Sequence, residues 1–339
     1  MSKGDALYDE ERPYTELDNR YDKEKRRGYW ELAKGLQRCD GLEVSQRAEK
    51  QAELYIEGTF SAQEAAGAIE GAYNAVGDVK GDRQAEADVV SLRIVSLLET
   101  GRFELSPSTL RMIHSRLFEG VFEDSRWAGE YRRVNLSKPE PVLGGRSVQY
   151  ADFSQIKDTL EYDFGEEARR TRRYPLTEKD VDSIAQFISR VWQTHPFREG
   201  NTRTTAVFTE LYLRSLGYEI DNEEFAQNST FFRDALVRAN FASFKNDINF
   251  DASFIKAFLR NVVLGEKNDI SSMDLNIHGI RVNDIPYRSA GEYADRRPIA
   301  GKGPRSQPEE SPSTRSDKRK SARLAASASP ASLGAPKRD

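Results

Sequence analysis

Two stretches of helical apolar spacing that stop and restart around a nine-residue break constrain this chain more than any other feature. Upstream, Val181, Ile184, Ile188, Val191 and Trp192, with Phe187 beside them, recur at the three-and-four spacing of a helix that buries one face. Downstream, Val207, Phe208, Leu211 and Tyr212 resume that spacing. Between them runs His195-Pro196-Phe197-Arg198-Glu199-Gly200-Asn201-Thr202-Arg203. The pattern breaks at Gly200-Asn201, so the second helix is expected to begin near Asn201 or Thr202. Any fold of this chain must hold two buried rods joined by a bend that carries an imidazole, a carboxylate and a guanidinium.

A bend that opens onto a helix start suits an anion. The first N–H groups of the helix lack backbone partners, and the macrodipole adds roughly half a positive charge there. Arg203 can fork onto phosphate oxygens. His195, with a reference pKa of about 6.5, can take a proton from a hydroxyl at neutral pH and is the expected general base. Glu199 offers a hard oxygen ligand, and a magnesium ion held by one carboxylate plus substrate phosphates is a common arrangement. Phe197 is expected to point inward and anchor the loop. Taken singly, a His-Pro after a helix is a stop signal and Gly-Asn a turn; together and in this order, the residues favour a nucleotide site.

These residues resemble the signature of the Fic (Fido) family, His-x-Phe-x-(Asp/Glu)-Gly-Asn-(Gly/Lys)-Arg-x-x-Arg. The resemblance extends over roughly residues 100 to 245. Leu110 to Phe118, with Ile113-His114, and Trp127-Ala128-Gly129-Glu130-Tyr131-Arg132 resemble the opening helix and the entry to a flap. Gly217 to Asn240 resembles the closing helices. The resemblance implies an all-α fold: a Fic-type helical bundle with a small β-hairpin flap. It further implies a protein adenylyltransferase that moves AMP from ATP to a Ser, Thr or Tyr hydroxyl of a target protein. Carried over by position, His195 would deprotonate the hydroxyl, Glu199 would bind Mg2+, and Asn201 with Arg203 would hold the phosphates. The amides of Gly200 and Thr202 would cradle them. The flap at 143–150, where Ser147-Val148-Gln149-Tyr150 follows Gly144-Gly145, would dock the target by strand addition.

The chain departs from that pattern twice. Thr202 stands where adenylylating members carry glycine, which puts a β-branched side chain beside the expected phosphate path, and Ala206 stands where many carry a second arginine. Two alternatives follow: a Fic-type transferase of another nucleotide or phosphate-containing group, and a non-catalytic Fic-fold interaction protein. Residues 26 to 75 also resemble the small antitoxin domains that inhibit Fic proteins. The resemblance rests on Leu36 to Glu43, on Ala52 to Gly58, and on Ser61-Ala62-Gln63-Glu64, a capping box that opens a helix to Tyr73. It implies an inhibitory (Ser/Thr)-x-x-x-Glu-Gly, and Leu36 and Asp40 occupy those positions here. With Asp40 a methylene short and its arginine replaced by Ala206, the expectation is a weak or absent clamp, although an intramolecular contact between the lobe and the site is still expected.

Composition bounds the rest. At 339 residues and 37% hydrophobic, the chain can hold two domains. No apolar run approaches the roughly 20 residues of a membrane span, and Met1 to Arg27 lacks a signal-like apolar region. One cysteine, Cys39, excludes an internal disulfide framework and suits a reducing, cytoplasmic setting, with export as an effector the alternative. His114, read as a helix-packing residue, and His278 are too scattered for a His-rich metal site. The expected organisation is a charged arm over 1–25, an antitoxin-like helical lobe over 26–80, a catalytic domain over 81–266, a short extension with a strand pair over 267–290, and a disordered basic tail over 291–339. Phe254, Ile255, Phe258, Leu259, Val262 and Val263 give the catalytic domain its last helix. From Lys302 the tail carries nine Lys or Arg against four Asp or Glu, while the whole chain is net −4. Without stacking aromatics, such a tail is not expected to bind nucleic acid specifically.

Overall fold

A core of two helices buried around nearly their whole circumference organises the computed structural model, which describes residues 14–17, 21–77, 80–172 and 174–277. In chain order the described helices are α1 (Lys23–Arg38), α2 (Gln46–Ile56), α3 (Ala62–Asn74), α4 (Arg83–Leu98), α5 (Pro107–Phe118), α6 (Ile156–Ala168), α7 (Glu178–Thr194), α8 (Asn201–Ser215), α9 (Asn222–Gln227), α10 (Ser229–Ala239) and α11 (Ser253–Leu264). The central pair is α4 and α8. In α4 the apolar residues Val89, Val90, Leu92, Ile94, Val95, Leu97 and Leu98 are all buried, and they carry Glu86 and Asp88 inside with them. The all-α expectation holds. Among the described residues the single sheet is an antiparallel pair of two-residue strands, β1 (Thr15–Glu16) and β2 (Arg102–Phe103).

Local chemistry sets the helix boundaries. The side chain of Ser61 accepts from Glu64 N while the Glu64 carboxylate accepts from Ser61 N, the reciprocal capping box expected from the sequence. Thr177 and Asp180 do the same for α7, and Asp22 caps α1 through Lys25 N at 2.8 Å. The N-terminal helices share the main core: α1 lies against α4, α9 and α10, and its residues belong to one continuous apolar cluster with those of α7, α8 and α11. Gly35 permits the α1–α9 approach, since a Cβ there would stand 2.6 Å from the Ala226 carbonyl oxygen. The Gly35 carbonyl accepts from Ser229 Oγ at 2.7 Å. Each fully buried Leu, Ile, Val or Phe contributes roughly 1.5–3 kcal/mol, so α1 is fixed by its own apolar face.

Two local expectations are corrected. The flap is a turn, Pro141–Leu143, closed by one antiparallel bridge between Glu140 and Arg146, with Gly144 and Gly145 at positive φ. Ser147 to Tyr150 is not a paired strand, although its burial alternates as expected: Val148 and Tyr150 face in, and Gln149 faces out. The strand pair anticipated within 267–290 is absent from the part described, up to residue 277. Instead Asn261 ties down the backbone at Asn268, Ile270–Ser272 makes a short 3-10 turn, and Ile277 N donates to Val142 O at 3.0 Å. Ile270, Leu275 and Ile277 are buried against the core, a stronger pull than pairing with each other. His278 and the tail over 291–339 lie outside the described residues.

Candidate functional site

The expected bend joins α7 to α8 and is held from beneath. His195 ends α7 in a left-handed conformation, φ 47°, and Gly200 precedes α8 at φ 71°. Only glycine fits at 200: besides the backbone angle, an added Cβ would lie 2.3 Å from two ring carbons of Phe118. Phe197 points inward as expected and stacks on His114 with ring centroids 3.8 Å apart. His114 does more than pack a helix. Its Nδ1 accepts from Gly129 N at 2.8 Å, which puts the ring proton on Nε2, and Nε2 donates to the Glu199 carbonyl at 3.0 Å. Burial holds its pKa down at about 3, so it stays neutral and keeps that tautomer.

Arg132 is the second support, and sequence reasoning did not single it out. Its guanidinium donates to the carbonyls of His195 (2.7 Å), Thr194 (3.2 Å), Ala151 (2.5 Å) and Val134 (2.7 Å), and its own N–H donates to Pro196 O at 2.8 Å. One buried cation thus ties the end of α7 to the segment leading into and out of the flap. Four of its five side-chain hydrogen bonds go to backbone carbonyls and the fifth, long at 3.4 Å, to Asn135 Oδ1, so partner residue types in the sequence give little sign of it.

The functional side chains of the bend differ in how they are engaged. His195 is 2% exposed. Its Nδ1 faces the Trp192 carbonyl at 3.3 Å and so carries the proton, which leaves Nε2 as a lone-pair acceptor, buried and without a hydrogen-bond partner. Burial first, then the positive charges of Lys138 and Arg132, hold its pKa well below the ordinary histidine value. The Tyr150 ring stacks over it at 4.0 Å. Glu199 keeps Oε1 buried and unpartnered while Oε2 lies 3.6 Å from Lys138 Nζ; burial pushes its carboxyl pKa up.

Three positions depart from expectation. Asn201, implied on the phosphates, has its amide engaged within the loop: Oδ1 accepts from Phe197 N at 3.0 Å, and Nδ2 donates to Phe197 O at 2.8 Å. Thr202 does not project its hydroxyl into a phosphate path, because Oγ1 accepts from Trp192 Nε1 at 3.1 Å. We expect Thr202→Val to cost about 1 kcal/mol in urea denaturation, the worth of one buried neutral hydrogen bond, with transfer rates within about threefold. A tenfold change in rate would return Thr202 to the phosphate path. Arg203, 1% exposed, is held from several sides: its Nη2 donates to Glu86 Oε1 at 2.7 Å and its Nη1 to Gln37 Oε1 at 2.9 Å, its Nε lies 2.8 Å from Asp40 Oδ2 as an ion pair without hydrogen-bond geometry, and the guanidinium lies over the Phe118 ring at 4.8 Å.

That pairing corrects the expectation that Asp40 has lost its arginine. Asp40 follows the C-terminus of α1, and its carboxylate, with Gln37 Oε1 from the last turn of α1, reaches Arg203 in the first turn of α8. Ala206 is fully buried in the core. Burial opposes the charges on Asp40 and Arg203, but their mutual attraction outweighs it: the Asp40 pKa is lowered and the Arg203 pKa raised. Among the described residues no group of three or more His, Cys, Asp or Glu could hold a metal by protein ligands alone. The orphaned Oε1 of Glu199 fits a cation that takes one protein carboxylate and fills its shell from a substrate.

Comparison with known proteins follows the same bend. Residues 104–213 match the Fic/DOC family. The chain is 26% identical over 173 residues to the protein adenylyltransferase VbhT of Bartonella schoenbuchensis, which covers 51% of this chain and 32% of that protein. It is 31% identical over 140 residues to "Probable protein adenylyltransferase y4lH" of Sinorhizobium fredii, covering 41% of this chain and 65% of that one. The chain therefore spans about a third of the length of one of these relatives and under two thirds of the other. Among solved structures, the N-terminal FIC domain of the Bep8 effector from Bartonella sp. 1-1C aligns with TM-score 0.40 at 21% identity, over 51% of this chain and 81% of that one. By the match over residues 104–213, which takes in the His195–Arg203 bend near its end, this chain carries a Fic/DOC family domain.

Proposed function

We propose that this chain is a protein adenylyltransferase that moves AMP from ATP to a Ser, Thr or Tyr hydroxyl of a target protein. The observation that carries the reading is the His195 imidazole: Nδ1–H faces a backbone carbonyl, and Nε2 is a buried acceptor with no partner, as a general base requires. The names of the relatives, protein adenylyltransferases, support it. In the step proposed, the target hydroxyl gives its proton to His195 Nε2 as its oxygen bonds to the α-phosphorus. The bond from the α-phosphorus to the bridging oxygen breaks, and pyrophosphate leaves. The start of α8, whose N-cap Gly200 makes no side-chain cap, turns N–H groups toward the developing charge. Glu199 would hold Mg2+, which when bound neutralises phosphate charge. Arg203 sits at the same helix start, and a phosphate reaches it by replacing the Asp40 carboxylate; in this way the contact between the 26–80 lobe and the site would restrain nucleotide binding. The target would dock along 143–150, where Tyr150 covers His195.

The inward-turned hydroxyl of Thr202 removes one reason to prefer another phosphate donor. Incubating the full chain with host-cell proteins and ATP labelled on the α-phosphate should give protein-bound label, and γ-labelled ATP should give none. Label transferred from the γ position instead would replace this reading with phosphotransfer. Running the four nucleoside triphosphates in parallel tests the nucleotide. No described helix is long and apolar enough to cross a membrane.

A further inference from the structure

The basic side chains around the bend are unequally engaged. Arg203 is shared among Asp40, Glu86 and Gln37, and Arg132 among four backbone carbonyls and Asn135 Oδ1. Arg233 pairs with Glu140 and Asp234. Lys138 differs. Its backbone is fixed, with Lys138 N donating to Ser147 Oγ at 3.0 Å, and its side chain is only 20% exposed. Yet its ammonium has one neighbour within pairing distance among the described residues, Glu199 Oε2 at 3.6 Å, which is too long for a hydrogen bond. Three N–H donors on a flexible stem thus stand beside the site without a hydrogen bond to any described side chain or carbonyl.

We propose that Lys138 is a phosphate-binding residue of the nucleotide site, supplied by the segment that leads into the flap. The inference rests on the adenylyltransferase reading and adds to it a residue outside the His195–Arg203 bend. A polyphosphate entering beside Glu199 brings negative oxygens to an ammonium already held there by a carboxylate. A cation at Glu199 would release Lys138 from its present partner, and the freed charge turns to the phosphates. Because the same segment runs on to Tyr150 over His195, nucleotide binding and the position of the flap become coupled through this side chain.

The test is ATP binding by the full chain with Mg2+, measured by calorimetry for the wild type, Lys138→Gln and Lys138→Arg. Lys138→Gln should raise the Kd for ATP about tenfold, the worth of one charge-assisted contact, and Lys138→Arg should stay within about threefold of wild type. The wild-type Kd should also rise more steeply between 0.05 and 0.5 M KCl than that of Lys138→Gln, by about one ion contact, a difference that a merely structural lysine would not produce. Should the variants fold poorly, amine-reactive labelling of the wild type read by mass spectrometry serves instead: ATP should protect Lys138 at least fivefold. A Kd for Lys138→Gln within twofold of a measurable wild-type Kd, or labelling that ATP leaves unchanged, overturns the role of Lys138 and leaves the adenylyltransferase reading intact. A wild type that binds no ATP overturns both.

Discussion

Replacing His195 is expected to lower α-label transfer by a factor of about 10²–10⁴, the usual contribution of a positioned general base. The variant must be chosen with the backbone in mind, because His195 sits at φ 47°. Alanine there adds strain, whereas asparagine tolerates the left-handed region and removes only the proton acceptor; His195→Asn is therefore the decisive substitution. The pH profile gives an independent reading. The active form of a base is the unprotonated one, present above its pKa and lost below it. Since burial and the nearby cations hold His195 well below its ordinary value, kcat/KM should stay level as pH falls through 6.5 and decline only at lower pH. Transfer by His195→Asn within tenfold of wild type, or an acid limb centred above 6.5, would remove His195 from the role of base.

Much of this could be read from the residues alone. The apolar spacings of α7, α8 and α11, the Ser61–Glu64 box of α3 and the break at Gly200 are local signals, set within one or two helical turns, and each element appears where its spacing puts it. The inward turn of Phe197 followed from the same logic. What could not be read is what the chain brings together from far apart. Glu86 and Gln37 reach Arg203 across 117 and 166 positions, and nothing in the local pattern of α4 distinguishes a buried ion-pair partner from a solvated glutamate. The family resemblance puts Asn201 on the phosphates by its place in the motif, whereas its amide complements a backbone N–H and C=O four residues earlier, a match visible only once the bend has closed. Asp40 was judged by the length of its side chain; the approach of α1 to α8 decides its partner.

Arg203 should prove as important to the fold as to the chemistry, and Arg203→Met is expected to lower the unfolding free energy by about 3–5 kcal/mol. The guanidinium is the shared partner of two carboxylates, Asp40 from the end of α1 and Glu86 from α4, and it sits on the Phe118 ring. Methionine fills much of the same volume and keeps the ring contact, but it leaves Asp40 largely buried without its ion-pair partner and Glu86 buried with only the half-exposed Arg83, 2.5 Å away, as a cation. Breaking a buried pair from one side costs more than replacing both partners with neutral groups, because the remaining charge has lost its compensation. The triple variant with Asp40→Asn and Glu86→Gln should therefore recover a good part of the loss, as a coupling of 0.5–3 kcal/mol in the mutant cycle, roughly. Urea denaturation of the wild type, the single variant and the triple variant measures both quantities. If Arg203→Met costs under about 1 kcal/mol, the carboxylates have found water, and the α1–α8 contact is a surface pairing; if the single loss is large and the triple recovers none of it, the stabilisation lies in the packing of the arginine stem and not in its charge.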